Sequence, residues 1–193
     1  LLNQLEQRAA KNGYYLHHAP ELPAALAKQA KSPYGARELR RTVVRAVEQA
    51  GISCKEAFYE FNEADLSGIH AAQMLGMPPE QVFKTLVTRG EKVGIQIFCI
   101  PVCCELDLKK AAKAAGDKSL SLVPVKELLP LTGYIRGGCS PVGMKKKYPT
   151  FLDETAKLWD EIAVSAGARG HQMILNPMDL VHLTKARLED ITL

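Results

Sequence analysis

The chain has one tryptophan, only 6% aromatic residues and no apolar run approaching the roughly 20 residues that span a bilayer. A membrane-spanning helix is therefore excluded on length. Its five cysteines, at positions 54, 99, 103, 104 and 139, are an odd number without the paired spacing of a zinc site or a secreted disulfide framework. That pattern predicts a reducing compartment and no bound metal. Paired carboxylates are also scarce: Asp153-Glu154 and Asp160-Glu161 are sequence neighbours that read as surface acids, not as an acid/base pair. There is no internal repeat and no low-complexity linker. The opening "LLNQLEQRAAKNG" is amphipathic and lacks the charged start and apolar block of an export signal, so a cytoplasmic protein without membrane contact is expected.

What is present describes an ordinary globular chain: 193 residues, 47% hydrophobic and 24% charged, enough for one main core and a small accessory piece. The net charge of +4 is mild but unevenly spread. Residues 1–45 carry eight Lys/Arg against three Glu, and residues 109–147 carry nine Lys/Arg against Asp117 and Glu127. Such a stretch attracts a polyanion, or it is simply a solvated surface.

Periodicity organises the rest. Leu1, Leu2, Leu5 and Ala9 have helical spacing, "YYLHH" suits a short strand, a second helix is expected from about Glu21, and "KSPYGARELRRTVVRAVEQAG" sets a long amphipathic helix after a Pro-Tyr-Gly break. From Ile52 the character is mixed. "SCKEAFYEF" predicts a strand, "SGIHAAQMLG" a helix capped by Ser67, and "QVFKTLVTRG" with "KVGIQIFCIPV" two strands joined near Gly90. "ELDLKKAAKAAG" predicts a helix ending at Gly116, and "PVKELLPLTG" a shorter one. "PTFLDETA", "EIAVSAG" and "HQMILNP" predict short strands, and "PMDLVHLTKA" a closing helix.

Three places could carry chemistry. In "GGCSPVG", Gly137 and Gly138 reach dihedrals closed to other residues while Pro141 holds Ser140 extended, so the loop can aim N–H donors at one point, as an oxyanion requires, or it can be a structural turn. Lys84 lies in an apolar segment, where it either snorkels from a half-buried strand or projects into a cavity to meet a phosphate or carboxylate. Cys139 could be a thiol nucleophile if a histidine, His171 being the best placed in sequence, served as its base.

"QVFKTLV", "LDLKKAAKAAG", "TGYIRGGCSPVGMKK", "PTFLDETA" and "VSAGARG", in this order and spacing, closely resemble the YbaK family of aminoacyl-tRNA deacylases, from about Val43 to the end of the chain. The resemblance implies an α+β (mixed α/β) fold with a mixed, barrel-like sheet flanked by helices, and removal of cysteine esterified to tRNA(Pro), with tRNA(Cys) as a second substrate. It places Lys84 at the family's functional lysine with Thr85 beside it, and Gly137, Gly138, Cys139, Ser140 and Pro141 in the loop that holds the substrate carbonyl. Tyr59 matches an aromatic near the site, and Ser165 and Gly167 a second small-residue loop. Two positions depart from the family pattern, Ala166 where glycine is usual and Gln172 where aspartate is expected. Cys139 fills a slot often aliphatic in relatives, which argues against it as nucleophile. The implied scheme needs no cofactor, because the substrate thiol attacks its own carbonyl and releases the tRNA as a thiolactone forms. The implied partners are the acceptor end of aminoacyl-tRNA and prolyl-tRNA synthetase. A non-catalytic module that binds tRNA or a synthetase with the same fold is the alternative.

Residues 1–46 look different. "LLNQLEQRAAKNGYYL" and "KSPYGARELRRTVVRAVEQ" resemble the small C-terminal subdomain of Clp-type AAA+ chaperones, including Gly35-Ala36-Arg37, whose arginine senses nucleotide in that family. The chain has no G-x-x-x-x-G-K-[ST] loop for Arg37 to serve, so ATP binding is not expected. The expected division is a helical segment over 1–46 and a deacylase domain over 47–193.

Overall fold

The computed structural model describes residues 15–16 and 36–193, with side chains from Val43 onward. The helices expected within 1–12 and from Glu21 lie outside the described residues.

A hairpin forms the centre. β3 (Val82–Gly90) and β4 (Gly94–Pro101) pair antiparallel with Lys84 opposite Ile100, and their turn closes through Gly94 at φ 71°. The remaining strands are β1 (Tyr15–Leu16), β2 (Cys54–Phe58), β5 (Leu120–Leu122), β6 (Thr150–Asp153), β7 (Ile162–Ala168), β8 (His171–Leu175) and β9 (Arg187–Glu189). They form one mixed nine-stranded sheet in the order β1-β2-β8-β7-β3-β4-β6-β9, with β5 added against β3. β3 joins β7 in parallel, β4 joins β6 in parallel, and β7 and β8 are an antiparallel hairpin with a bulge between Ser165 and Ala168.

Five helices flank it among the described residues: α1 (Ala36–Gln49), α2 (Gly68–Leu75), α3 (Leu108–Ala115), α4 (Val125–Thr132) and α5 (Pro177–Thr184). Their boundaries follow from capping chemistry. The Ser67 hydroxyl accepts from the His70 N–H at 3.2 Å, Asp107 accepts from Lys109 and Lys110 at 2.8 and 3.1 Å, and α2 and α3 stop at glycines in the left-handed conformation. None of these helices is long and apolar enough to cross a membrane.

α1 runs through residues 46 and 47, where the sequence suggested a division, and inserts Val43 and Val47, both fully buried, into the main core beside Val164 and Met173. Burying two valines contributes about 3–6 kcal/mol to holding that helix on the sheet.

β5 and β9 are the elements that sequence patterning missed. Each has three residues, too few to show a period, and exists through its ladder with β3 or β6. β5 matters for the site. β3 pairs with β7 at Val82–Phe83 and with β5 at Thr88–Gly90 on the same edge, so Lys84 to Leu86 have no strand beside them there.

Candidate active site

The gap where β3 changes partner opens into a cavity of about 610 Å³. Alternation along β3 sends Phe83 and Val87 into the main core with Cys99, while Lys84 turns to the other face. The Lys84 ammonium lies 3.4 Å from the Val102 carbonyl and 3.6 Å from Glu105 Oε1, and its side chain keeps 26% exposure. Glu105 is 78% exposed, so this ion pair is a weak rim contact that a ligand can displace. Thr85 Oγ1 sits 3.7 Å from Cys99 Sγ.

The opposite wall is the loop after α4. Gly133, at φ 88°, ends that helix, and the loop is then fastened at several points. Thr132 Oγ1 accepts from the Tyr134 N–H at 3.0 Å, the fully buried Tyr134 donates its hydroxyl proton to the Val142 carbonyl, and Arg169 Nε donates to the Arg136 carbonyl at 3.0 Å. Gly137 takes φ 82° and lines the cavity together with Arg136 and Cys139. The Gly138 N–H is spent on the Ile135 carbonyl at 3.0 Å, whereas no hydrogen bond within the described residues engages the N–H of Gly137 or Cys139. A Cβ on Gly138 would lie 3.2 Å from the Ala168 and Arg169 backbone, so the missing side chain lets the loop touch the β7–β8 turn.

Tyr59, Lys84, Thr85, Gly137 and Cys139 are thus brought together around one cavity. The other candidates are not. Gly138, Ser140 and Pro141 are buried behind the loop's inner surface, and the Ser140 hydroxyl accepts from the Val142 N–H at 3.2 Å. Ser165 and Gly167 lie at the bulge of β7, with Ser165 Oγ accepting from the Gly167 N–H at 3.3 Å. These five shape the walls without lining the cavity. Neither does His171 face Cys139: its Nε2 is 2.6 Å from Glu56 Oε2, both residues are 2% exposed, and Phe58 stacks on the imidazole at 4.3 Å. Burial, with a smaller contribution from Cys99, pushes the Cys139 thiol up to about 12, so it stays protonated and is a poor nucleophile. Gln172, Leu66, Val102 and Leu128 line the cavity as well, and sequence reasoning did not place them there. The family departure at Gln172 was the one signal that pointed to it.

Burial raises the Tyr59 hydroxyl, and a hydrogen bond from the Gln172 side chain partly offsets this. Among the described residues, no cluster of three or more His, Cys, Asp or Glu side chains is arranged to hold a metal ion. The cavity is rich in donors and lined by aliphatic side chains, a combination suited to a small acyl ester and poor at activating water through a strong base.

Comparison with known proteins gives this geometry its context. Residues 66–183 match the aminoacyl-tRNA editing domain family, and residues 1–50 match the C-terminal, D2-small domain of ClpB protein. EbsC of Enterococcus faecalis, described as a candidate Cys-tRNA(Pro)/Cys-tRNA(Cys) deacylase, is 45% identical over 153 residues, which is 79% of this chain and 93% of that protein. The uncharacterised YwhH of Bacillus subtilis is 29% identical over 63% of this chain and 76% of its own length. A crystal structure described as a candidate trans-editing enzyme for prolyl tRNA synthetase superposes with a TM-score of 0.70 at 30% identity, covering 80% of this chain and 97% of that one. The chain belongs to the aminoacyl-tRNA editing domain family, a class of aminoacyl-tRNA deacylases.

Proposed function

We propose that the protein acts in trans on mischarged tRNA, removing cysteine from tRNA(Pro), with tRNA(Cys) as a second substrate. The observation that supports this most is that Lys84, Gly137 and Cys139 line one cavity at the gap in β3. The name of the relative EbsC supports the choice of amino acid and tRNA.

In this reading the ester needs placement more than activation. The N–H groups of Gly137 and Cys139 stabilise the oxyanion that forms on the ester carbonyl. Lys84 exchanges its Glu105 contact for a phosphate or the terminal ribose. With the acyl group held bent, the substrate thiol attacks its own carbonyl: a C–S bond forms, the ester C–O bond breaks, and the thiol proton ends on the departing ribose hydroxyl. The products are a thiolactone and free tRNA. The side-chain chemistry asked of the protein is orientation. The division at 46/47 is retained as a proposal in which residues 1–46 are a docking segment, with prolyl-tRNA synthetase as the partner that supplies tRNA identity.

Deacylation of cysteinyl-tRNA(Pro) by Lys84→Ala and Cys139→Ser variants tests the scheme. Lys84→Ala is expected to lose about 10²-fold or more in kcat/KM, Cys139→Ser to stay within a few fold, and thiolactone to be trapped among the products. Retention of tRNA without ester loss by the wild type would leave a binding module instead, and loss of activity in Cys139→Ser would restore the thiol as nucleophile.

A further inference from the structure

We infer that Arg169 is a positioning residue of the site, whose side chain holds the Arg136–Gly137 peptide group with its N–H turned toward the cavity. The inference deepens the deacylase reading above and rests on it.

That peptide is the middle one of a tight turn. The Gly138 N–H donates to the Ile135 carbonyl at 3.0 Å, Gly137 has φ 82°, and Lys185 is the only described residue other than glycine with positive φ, so φ is negative at Arg136. Those signs define a type II turn. A type I turn joins the same two ends through the same closing hydrogen bond, but its middle peptide is turned over, so that carbonyl and N–H exchange sides. Glycine takes either sign of φ about as readily, and Arg136-Gly137 by itself therefore leaves both orientations open.

Arg169 decides between them. Its Nε donates to the Arg136 carbonyl at 3.0 Å, and in a trans peptide the Gly137 N–H is directed away from that oxygen. Gly137 is exposed and lines the cavity, Arg169 does not line it, and no hydrogen bond within the described residues engages the Gly137 N–H. The turned-over peptide would present a carbonyl oxygen where the oxyanion forms. Arg169 is itself well anchored. It lies in the two-residue β7–β8 turn, closed by the pairing of Ala168 with His171, and the adjacent Gly170 carbonyl accepts from the Tyr59 N–H at 2.9 Å. Its ion pair with Glu63 is long, 3.9 Å, and Glu63 is 82% exposed, so the charge contributes little by that route. A hydrogen bond from a charged donor shifts the balance between the two orientations by roughly ten- to hundredfold.

Arg169→Gln and Arg169→Met separate the donor from the charge. Glutamine carries a donor nitrogen at the same point along the side chain as Nε, methionine has similar length and no donor, and both remove the charge. With cysteinyl-tRNA(Pro), Arg169→Met is expected to lose about fivefold or more in kcat with a smaller change in KM, because the oxyanion forms only after binding. Arg169→Gln is expected to recover most of that loss. Nuclear Overhauser effects read the turn directly. Type II places the Arg136 Hα beside the Gly137 amide proton, whereas type I brings the two amide protons together. The wild type and Arg169→Gln should show the first pattern and Arg169→Met a mixture. A type I pattern in the wild type, unchanged kcat or an unchanged pattern in Arg169→Met, or Arg169→Gln as impaired as Arg169→Met would each overturn the assignment. If the wild type cleaves no ester, the deacylase reading fails by itself, and the pattern in the two variants decides whether Arg169 sets the turn.

Discussion

Lys84 occupies a place that few side chains could tolerate, at the centre of an apolar strand with a core on one side and a gap on the other. Its methylenes run toward Val102 while the ammonium reaches open space, so a charge stands at the cavity at little cost in burial. Gly137 is the second such residue. At φ 82° an L side chain is strained, although a Cβ there would find only ordinary contacts, at 3.5 Å from Arg169 and Leu66. Gly137→Ala is therefore expected to cost about 1–2 kcal/mol of stability, leave the protein folded, and reduce kcat more than it raises KM by re-aiming the amide. Thermal melts beside steady-state kinetics would check this, and unchanged kcat would remove the amide from the mechanism.

At the scale of elements, the loop between α4 and β6 has a buried internal post among its fastenings. The Tyr134 side chain is fully buried, burial pushes its hydroxyl well above the ordinary tyrosine range, and its proton goes to the Val142 carbonyl. Tyr134→Phe leaves that carbonyl without its donor and is expected to destabilise the protein by about 1–3 kcal/mol, with activity falling further because Gly137 and Cys139 ride on the same loop. A chemical denaturation curve for the variant measures the first effect. The turn between β3 and β4 has an equivalent brace in Asp117, whose Oδ2 accepts from the Lys92 and Val93 N–H groups, each at 2.9 Å. These hydrogen bonds, the one from Val93 foremost, hold its carboxyl below the usual carboxylate range. A depressed folded-state pKa means that the brace contributes fully above the ordinary carboxylate pKa of about 4, and that its contribution is lost as pH falls through the folded value. Asp117→Asn is expected to be less stable at neutral pH and to lose less on acidification, as urea midpoints at the two pH values would show.

For the whole molecule, the positive charge counted in the sequence has a definite location. Lys145, Lys146 and Lys147 are exposed on the same loop that carries Arg136 and Gly137 to the cavity mouth. Phosphates drawn to that loop would bring the acceptor end of a tRNA toward Lys84 without reading its sequence. Replacing Lys146 and Lys147 by glutamine should weaken tRNA binding and lower the magnitude of the log Kd versus log salt slope by roughly 0.7–0.9 per lysine that contacts phosphate. Cleavage of a short aminoacyl ester should be unchanged. An unchanged slope would place the tRNA on another face.

Much of this organisation is legible along the chain because it is local. Ser67, Asp107 and Gly116 mark helix ends through hydrogen bonds to residues two to four positions away, and the alternation of "QVFKTLV" and "IQIFCI" sets which side chains face the core. The motif order carried the family. What the sequence could not decide is what depends on partners far away in it. β5 and β9 are strands only because β3 and β6 offer free edges, and the gap beside Lys84 exists only because β3 leaves β7 for β5. Glu56, more than a hundred residues upstream, engages His171 and separates it from Cys139, and the β2–β8–β7 ladders bring Gln172 to the cavity wall. Hydrogen bonds between neighbours in sequence form wherever the residue types allow, but ladders and cavities depend on how distant segments share one core, and only the tertiary structure settles that.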